Sequence, residues 1–136
     1  MSDVTSQITS KVFKTLSADA ALQELLGNNR VFDKIPDRIE PPYVVLGSIN
    51  ATDWSTATEA GRVVSFAIHT WSDSADRREV SAIQSEVNRS ITEDLQSLDS
   101  HHLVNLRMLF SETRREPISS HFHGLSRFRC VTEPKV

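Results

Sequence analysis

The hydrophobic positions of this chain follow two periods, and the change from one to the other separates predicted helices from predicted strands. Near the start, apolar residues recur every three or four positions, which predicts a helix over residues 3–16. The apolar face of that helix holds Val4, Ile8, Val12, Phe13 and Leu16. A second helix is predicted over residues 18–26, with Ser17 or Asp19 as its cap and Gly27 at its end.

The middle of the chain is patterned for β-strands. Residues 30–35 alternate loosely and predict a short strand, residues 43–49 are apolar on both faces and predict a central strand, and residues 62–72 alternate throughout. Residues 50–61 are polar, so we expect a loop between the last two strands. A structureless loop of about a dozen residues is uncommon unless it has a function.

The last part of the chain returns to one helix and then to strands. Residues 75–98 predict the longest helix, because they carry a single apolar stripe. That stripe consists of Val80, Ile83, Val87, Ile91, Leu95 and Leu98. Strands are predicted over residues 103–113 and 122–132, with a turn at residues 117–121. The first of these strands is expected to place Val104, Leu106, Met108 and Phe110 on one face.

The predicted element order is α-α-β-β-β-α-β-β. Because strands come in runs rather than alternating with helices, we expect an α+β fold, a small antiparallel or mixed β-sheet with helices on one face. The length of 136 residues suits a single domain, 1–136, with one hydrophobic core. The one cysteine, Cys130, permits no disulfide within the chain.

The net charge and the hydropathy of the chain argue against some classes of protein. The formal net charge of -3 argues against a nucleic-acid-binding protein of the usual basic kind. No apolar run approaches the ~20 residues of a spanning helix, so no membrane partner is expected. The N-terminus shows no basic region followed by an apolar run, so no signal peptide is expected either.

The histidines are the residues of this chain best suited to bind a metal, but their spacing matches no metal motif. His121 and His123 are predicted to lie on one strand face, with His101 and His102 upstream. A zinc site needs three or four converging ligands, and no motif of metal-ligand spacing accompanies these histidines. We therefore expect no metal and no cofactor, and interpret the histidines as strand-edge or interface residues.

Two pairs of arginines stand out among the charged residues, Arg77 with Arg78 and Arg114 with Arg115. Each pair is a candidate for phosphate contacts. Acidic residues surround both pairs, and such mixed signs are typical of a solvated face or the rim of a protein interface.

The polar loop predicted over residues 50–61 contains an aromatic residue, Trp54. An aromatic side chain in a polar loop is often an interface anchor, and the alternative is that it folds back onto its own domain. Asp53 and Glu59 in the same loop are further candidates for contact with a neighbouring molecule.

Five segments resemble a known protein family. Residues 42–47 and 69–72 are similar to the core signature of tail-completion, or tail-terminator, proteins of long-tailed phages and gene transfer agents. Residues 20–27 and 30–36 resemble the N-terminal pattern of that family, and residues 124–133 its C-terminal pattern. The order and spacing of these segments make the resemblance specific, although each one alone is weak.

The resemblance implies a structural protein and not an enzyme. Such subunits assemble into a ring, expected here to be a homo-hexamer, that caps the tail tube and joins it to the head connector. The implied partners are the tail tube protein and a connector or stopper protein, and DNA passes through the lumen without specific binding. Assembly in the bacterial cytoplasm, as part of the tail of a phage-like particle, is also implied. Asp53 and Glu59 are our candidates for facing a neighbour or the lumen.

Three alternatives stay open at this stage. The first is a head-tail joining or stopper protein, which is also small and ring-forming. The second is a small hydrolase that uses His69, His121, His123 and Cys130, which requires these groups to converge in one pocket. The third is a small binding module that forms no ring.

Overall fold

A computed structural model of the protein describes residues 3–53, 55 and 60–135. In this part of the chain the helices are α1 (Val4–Ser17), α2 (Ala20–Leu26) and α3 (Arg78–Asp94). The strands are β1 (Val31–Phe32), β2 (Tyr43–Asp53), β3 (Arg62–Ser72), β4 (His101–Arg115) and β5 (Phe122–Pro134). The element order therefore confirms the α-α-β-β-β-α-β-β prediction.

The strands form one mixed sheet in the order β1-β2-β3-β5-β4. β1 pairs with β2 in parallel, and the other neighbours are antiparallel. The pairing of β3 with β5 is continuous from Arg62↔Thr132 to Ser72↔Phe122, without a register shift. Because side chains alternate between faces along a strand, this regular pair defines the two faces of the sheet.

One face of the sheet is covered by the helices and holds the hydrophobic core. Phe66 of β3 and Phe128 of β5 face each other across the central pair and stack, with ring centroids 5.3 Å apart. The apolar stripes of α1 and α3 pack against this face in one cluster. The helix side chains in that cluster are Val4, Ile8, Val12, Leu16, Leu22, Leu26, Ile83, Val87 and Ile91.

The opposite face of the sheet, which we call the open face, contributes no residue to that helix-packed cluster. It holds the alternate positions of each strand, among them Val45, His69, Trp71, His123 and Arg127. No helix of the described chain is long and apolar enough to cross a membrane.

A buried amide ties α3 to the sheet. Gln84 donates from Nε2 to the carbonyl oxygens of Glu112 and Leu125, at 3.0 and 3.2 Å, and accepts from Thr113 Oγ1 at 2.8 Å. Gly124 of β5 makes room for it, since a Cβ at that position would lie 2.9 Å from the Gln84 amide carbon. The helix is thereby fixed over the β4–β5 pair.

The first four residues of the loop predicted over residues 50–61 belong to a strand. Residues 50–53 extend β2, and pair with β3 as far as Asp53↔Arg62. The polar side chains of Asn50, Thr52 and Asp53 are exposed although their backbone is paired, so the sequence pattern did not indicate a strand here. Asp53 is therefore the last residue of a strand and not a loop residue. Trp54 and Glu59 lie outside the described residues.

The boundaries of two other elements, and the exposure of one residue, also differ from the predictions. The predicted 30–35 strand is limited to two residues, and α3 is shorter than residues 75–98, although Leu95 and Leu98 are still buried beyond its end. Phe13 is 40% exposed, since it lies beside the buried i, i+4 stripe of α1 rather than within it.

The alternation predicted for β4 is wrong. Register shifts between Val104 and Arg107 and between Met108 and Phe110 interrupt it, and Asn105 has a positive φ of 53° at the first of them. A bulge places an extra residue in one strand and so reverses the faces beyond it. As a result Leu103 and Leu106, rather than Val104 and Leu106, pack against the core.

We predict that Phe128→Ala lowers the free energy of unfolding by about 3–5 kcal/mol, because it leaves a cavity at the centre of the core. Phe110→Ala is the matched control, since Phe110 is 43% exposed on β4. It should change stability by less than about 1 kcal/mol. Urea unfolding of both variants measures the difference, and equal losses would contradict this description of the core.

Candidate functional site

The two arginine pairs singled out in the sequence meet at one end of the sheet. Arg77, directly before α3, and Arg115, the last residue of β4, both place their guanidinium groups over the ring of Phe122, at 5.4 and 4.7 Å from its centroid. Phe122 is buried and begins β5. Cation–π contacts of this kind stabilise the positions of both arginines.

The other member of each pair points outward. Arg78 is 93% exposed and forms a 3.5 Å ion pair with Asp76. Arg114 is also exposed and forms a 3.4 Å ion pair with Glu116. This end of the sheet, which we call the arginine end, therefore mixes both signs of charge, as the sequence indicated.

Asp53 lies at the opposite end of the strands. It forms a 3.5 Å ion pair with Arg62, its partner residue on β3. The eleven residues of β3 span about 33 Å. The described candidates thus fall into two groups, at opposite ends of the sheet, and do not form one pocket.

A chain of hydrogen-bonded groups lies on the open face near the arginine end. His69 Nδ1 is 2.7 Å from His123 Nε2, and His123 Nδ1 is 3.2 Å from Glu116 Oε1. Trp71 stacks on His123 with a centroid distance of 4.2 Å and an interplanar angle of 7°. We call Glu116, His123 and His69 the histidine chain.

Strand pairing explains how the histidine chain forms. His123 pairs directly with Trp71, and His69 is two residues further along the same face of β3, so the rings are cross-strand and diagonal neighbours. Gly47 of β2 makes room for His69, since a Cβ at that position would lie 2.5 Å from His69 Nε2. The His69 imidazole therefore packs against the backbone of β2 on the open face.

The surroundings favour the neutral form of both imidazoles. Burial lowers the pKa of His69, and the charges of His123 and Arg127 lower it further. Burial also lowers the pKa of His123, although the Glu116 carboxylate opposes that shift. With neutral rings, the network assigns a proton on His123 Nδ1 donated to Glu116 and a proton on His69 Nδ1 donated to His123 Nε2.

The groups required for the hydrolase alternative do not converge. Cys130 faces the buried core, where burial raises the pKa of its thiol to about 12. His123 is seven positions away along β5 and on the other face, a separation of about 23 Å. His121 precedes β5 rather than sharing a strand face with His123, so that prediction is wrong. Among the described residues, no three His, Cys, Asp or Glu side chains are grouped to hold a metal.

Sequence reasoning identified His69 and His123 but missed their contact with each other and with Glu116. The contact depends on the register of β3 with β5 and on the turn after β4, and neither can be read from local periodicity. The available signal was the pairing of two alternating strands, each with a histidine among apolar neighbours.

Comparisons with known proteins identify a protein family and a similar solved structure. The family model described as Tail completion protein gp17 matches residues 10–133. A chain of the solved structure described as "Virion of native gene transfer agent (GTA) particle" superposes with a TM-score of 0.86. That chain is 29% identical, and the match covers 98% of this chain and 99% of that one. No curated protein sequence matches.

We predict that stability falls as pH is lowered from about 7.5 to about 5, because the unfolded histidines, with a pKa of about 6.5, bind protons that the folded pair resists. His69→Gln should flatten this dependence, since it removes one of the two buried imidazoles. The matched control is His102→Gln, an exposed position on β4. Urea unfolding across this pH range provides the measurement, and identical slopes for both variants would contradict the prediction.

Proposed function

Because the chain belongs to the family of tail completion proteins gp17, we propose that it is the tail terminator of a phage-like particle. Family membership confirms the resemblance seen in the sequence, and the protein is a structural tail protein. The proposal that it caps the tube goes further. It is supported by the match over 98% of the chain to a protein of a gene transfer agent virion.

We further propose that the subunit acts as a homo-hexameric ring. The observation that carries this proposal is the outer edge of β4, fifteen residues long, which pairs with no other strand in the described chain. On the far side of the sheet, β1 pairs only with Val44 and Val45, so the rest of β2 has no described strand beyond it. Long open edges favour pairing with another chain.

Two different open edges suit a ring. If the β4 edge of one subunit contacts the β2 side of the next, the interface is heterologous, and such interfaces close into rings when the rotation permits. Met108, Leu109 and Phe110 on β4 are each 40–43% exposed, which supplies apolar area for this contact. Leu109 lies at the second register shift of β4 and has no partner residue on β5.

The two ends of the sheet are the proposed contact surfaces for the other tail proteins. Arg77, Arg78, Arg114 and Arg115 lie at one end, and Asp53 at the other, with Trp54 and Glu59 following it in sequence. Opposite ends of one subunit suit a protein that joins two partners, the tail tube protein and the head connector or stopper protein. Exposed charges at these surfaces would contribute more to the specificity for a partner than to the binding affinity.

Deletion of the gene tests the proposed role. We expect tails of uncontrolled length that are not joined to heads, because nothing stops tube polymerisation or forms the joint. Electron microscopy of particles from the deletion strain and from a complemented strain gives tail lengths. Tails of normal length without heads would indicate a head-tail stopper instead, and normal particles would contradict both roles.

A single charge on β4 tests the ring. Leu109→Asp should abolish assembly of the purified protein on tubes, since it places a carboxylate in the proposed apolar contact. Ile118→Asp is the matched control, because Ile118 is fully exposed in the turn after β4 and should tolerate the charge. Native mass spectrometry and microscopy of the assemblies report ring formation. Rings formed by Leu109→Asp would show that the β4 edge lies outside the interface.

A further inference from the structure

Three arginines lie side by side on the open face of the sheet. Arg127 and Arg129 alternate along β5 on this face, and Arg107 of β4 pairs directly with Arg129. Arg127 and Arg129 are separated by about 7 Å along the strand, and paired residues such as Arg107 and Arg129 have Cα atoms about 5 Å apart. We call these residues the arginine patch.

Two arginines of the patch, Arg107 and Arg129, lie on directly paired strand positions. Like charges directly opposite each other in a sheet are destabilising. Within the part of the chain that the structure describes, neither Arg107 nor Arg127 forms an ion pair with a carboxylate. Clustered guanidinium groups on a face that no helix covers are stabilised when an anion joins them.

The sheet surface around the arginine patch is flat. Ala67 pairs with Arg127 and Ser65 pairs with Arg129, so the neighbouring strand presents only small side chains there. A shallow hollow lies between the strands beside Arg107 and Arg129, lined also by Asn105 and Leu106. Such a surface admits an extended ligand that lies across the sheet and provides no deep pocket for a small molecule.

The charge of the patch opposes that of the whole chain. The formal net charge is -3, yet the three central charges of the open face are positive. Glu112 and Glu133 flank the patch on the same face, opposite Leu125 and His102. A positive centre between acidic flanks attracts a polyanion locally and limits the area over which it is held.

We propose that the arginine patch contacts the phosphate backbone of double-stranded DNA. This inference rests on the proposed function, from which DNA follows as the ligand. It deepens that function by assigning the open face to the lumen of the ring. Arginine forks bind phosphate oxygens bidentately, and a flat face that reaches only the phosphates gives contacts independent of sequence. Each subunit of the proposed ring would contribute three such contacts, and none of them depends on the base sequence.

A binding assay with matched variants tests this assignment. The probe is a fluorescently labelled random-sequence duplex of about 30 base pairs, titrated with protein at about 50 and about 150 mM salt. The test variant carries Arg107→Gln, Arg127→Gln and Arg129→Gln. The control variant carries Lys11→Gln, Lys14→Gln and Lys34→Gln, which removes the same charge from residues outside the open face and outside the arginine end.

Three phosphate contacts predict a slope of log affinity against log salt of about -2.7, which is about a 20-fold loss between the two salt concentrations. The test variant should lose that salt dependence together with most of the affinity, and the control should keep both. Thermal unfolding checks the fold, and both variants should keep the cooperative unfolding transition of the natural protein.

Equal losses in the two variants, or no binding by the natural protein at about 50 mM salt, would overturn the assignment. A test variant that keeps DNA affinity but no longer forms rings would also overturn it, and would instead indicate that the patch meets acidic groups of a second subunit. The position of the protein in the particle is measured separately, so failure of this inference leaves the tail-terminator proposal standing.

Discussion

The packing of the α1 and α3 stripes onto one face of the sheet is the contact on which the rest of the structure depends. Phe66 and Phe128 stack at its centre, and the apolar helix residues close around them in a single cluster. Burial of that apolar area is the main force that holds a domain of this size together. Because all three helices contribute to the same cluster, the other face of the sheet and its outer edge are left for other contacts.

The open face therefore carries groups that a helix-covered core would not accept. The histidine chain occupies the part near the arginine end, where ring stacking with Trp71 and a hydrogen bond to Glu116 satisfy His123. The arginine patch occupies the central part, on β5 and the neighbouring β4. A half-buried polar network and a cationic surface thus share one face, while Cys130 on the opposite face of β5 remains in the core.

Local periodicity predicted the helices, the order of elements along the chain and the α+β class, because a helical stripe or an alternating strand is visible within a dozen residues. The end of α2 at Gly27 was equally visible, whereas the sequence left Ser17 and Asp19 as alternative caps and the structure shows Asp19, which accepts from Leu22 N at 2.9 Å. The extension of β2, the bulge at Asn105 and the histidine chain were not, because they depend on pairing between distant strands. The proposed role came from the resemblance, and no residue chemistry alone pointed to it.

The most direct test of the central claim, that this protein is a ring at the end of a tail, is a cryo-electron microscopy map of intact particles. We expect density for this fold as a six-fold ring at the head-proximal end of the tail tube. In that ring the β4 edge of each subunit should lie against its neighbour, and the open face should line the channel. Density for this fold elsewhere in the particle, or its absence from complete particles, would contradict the account.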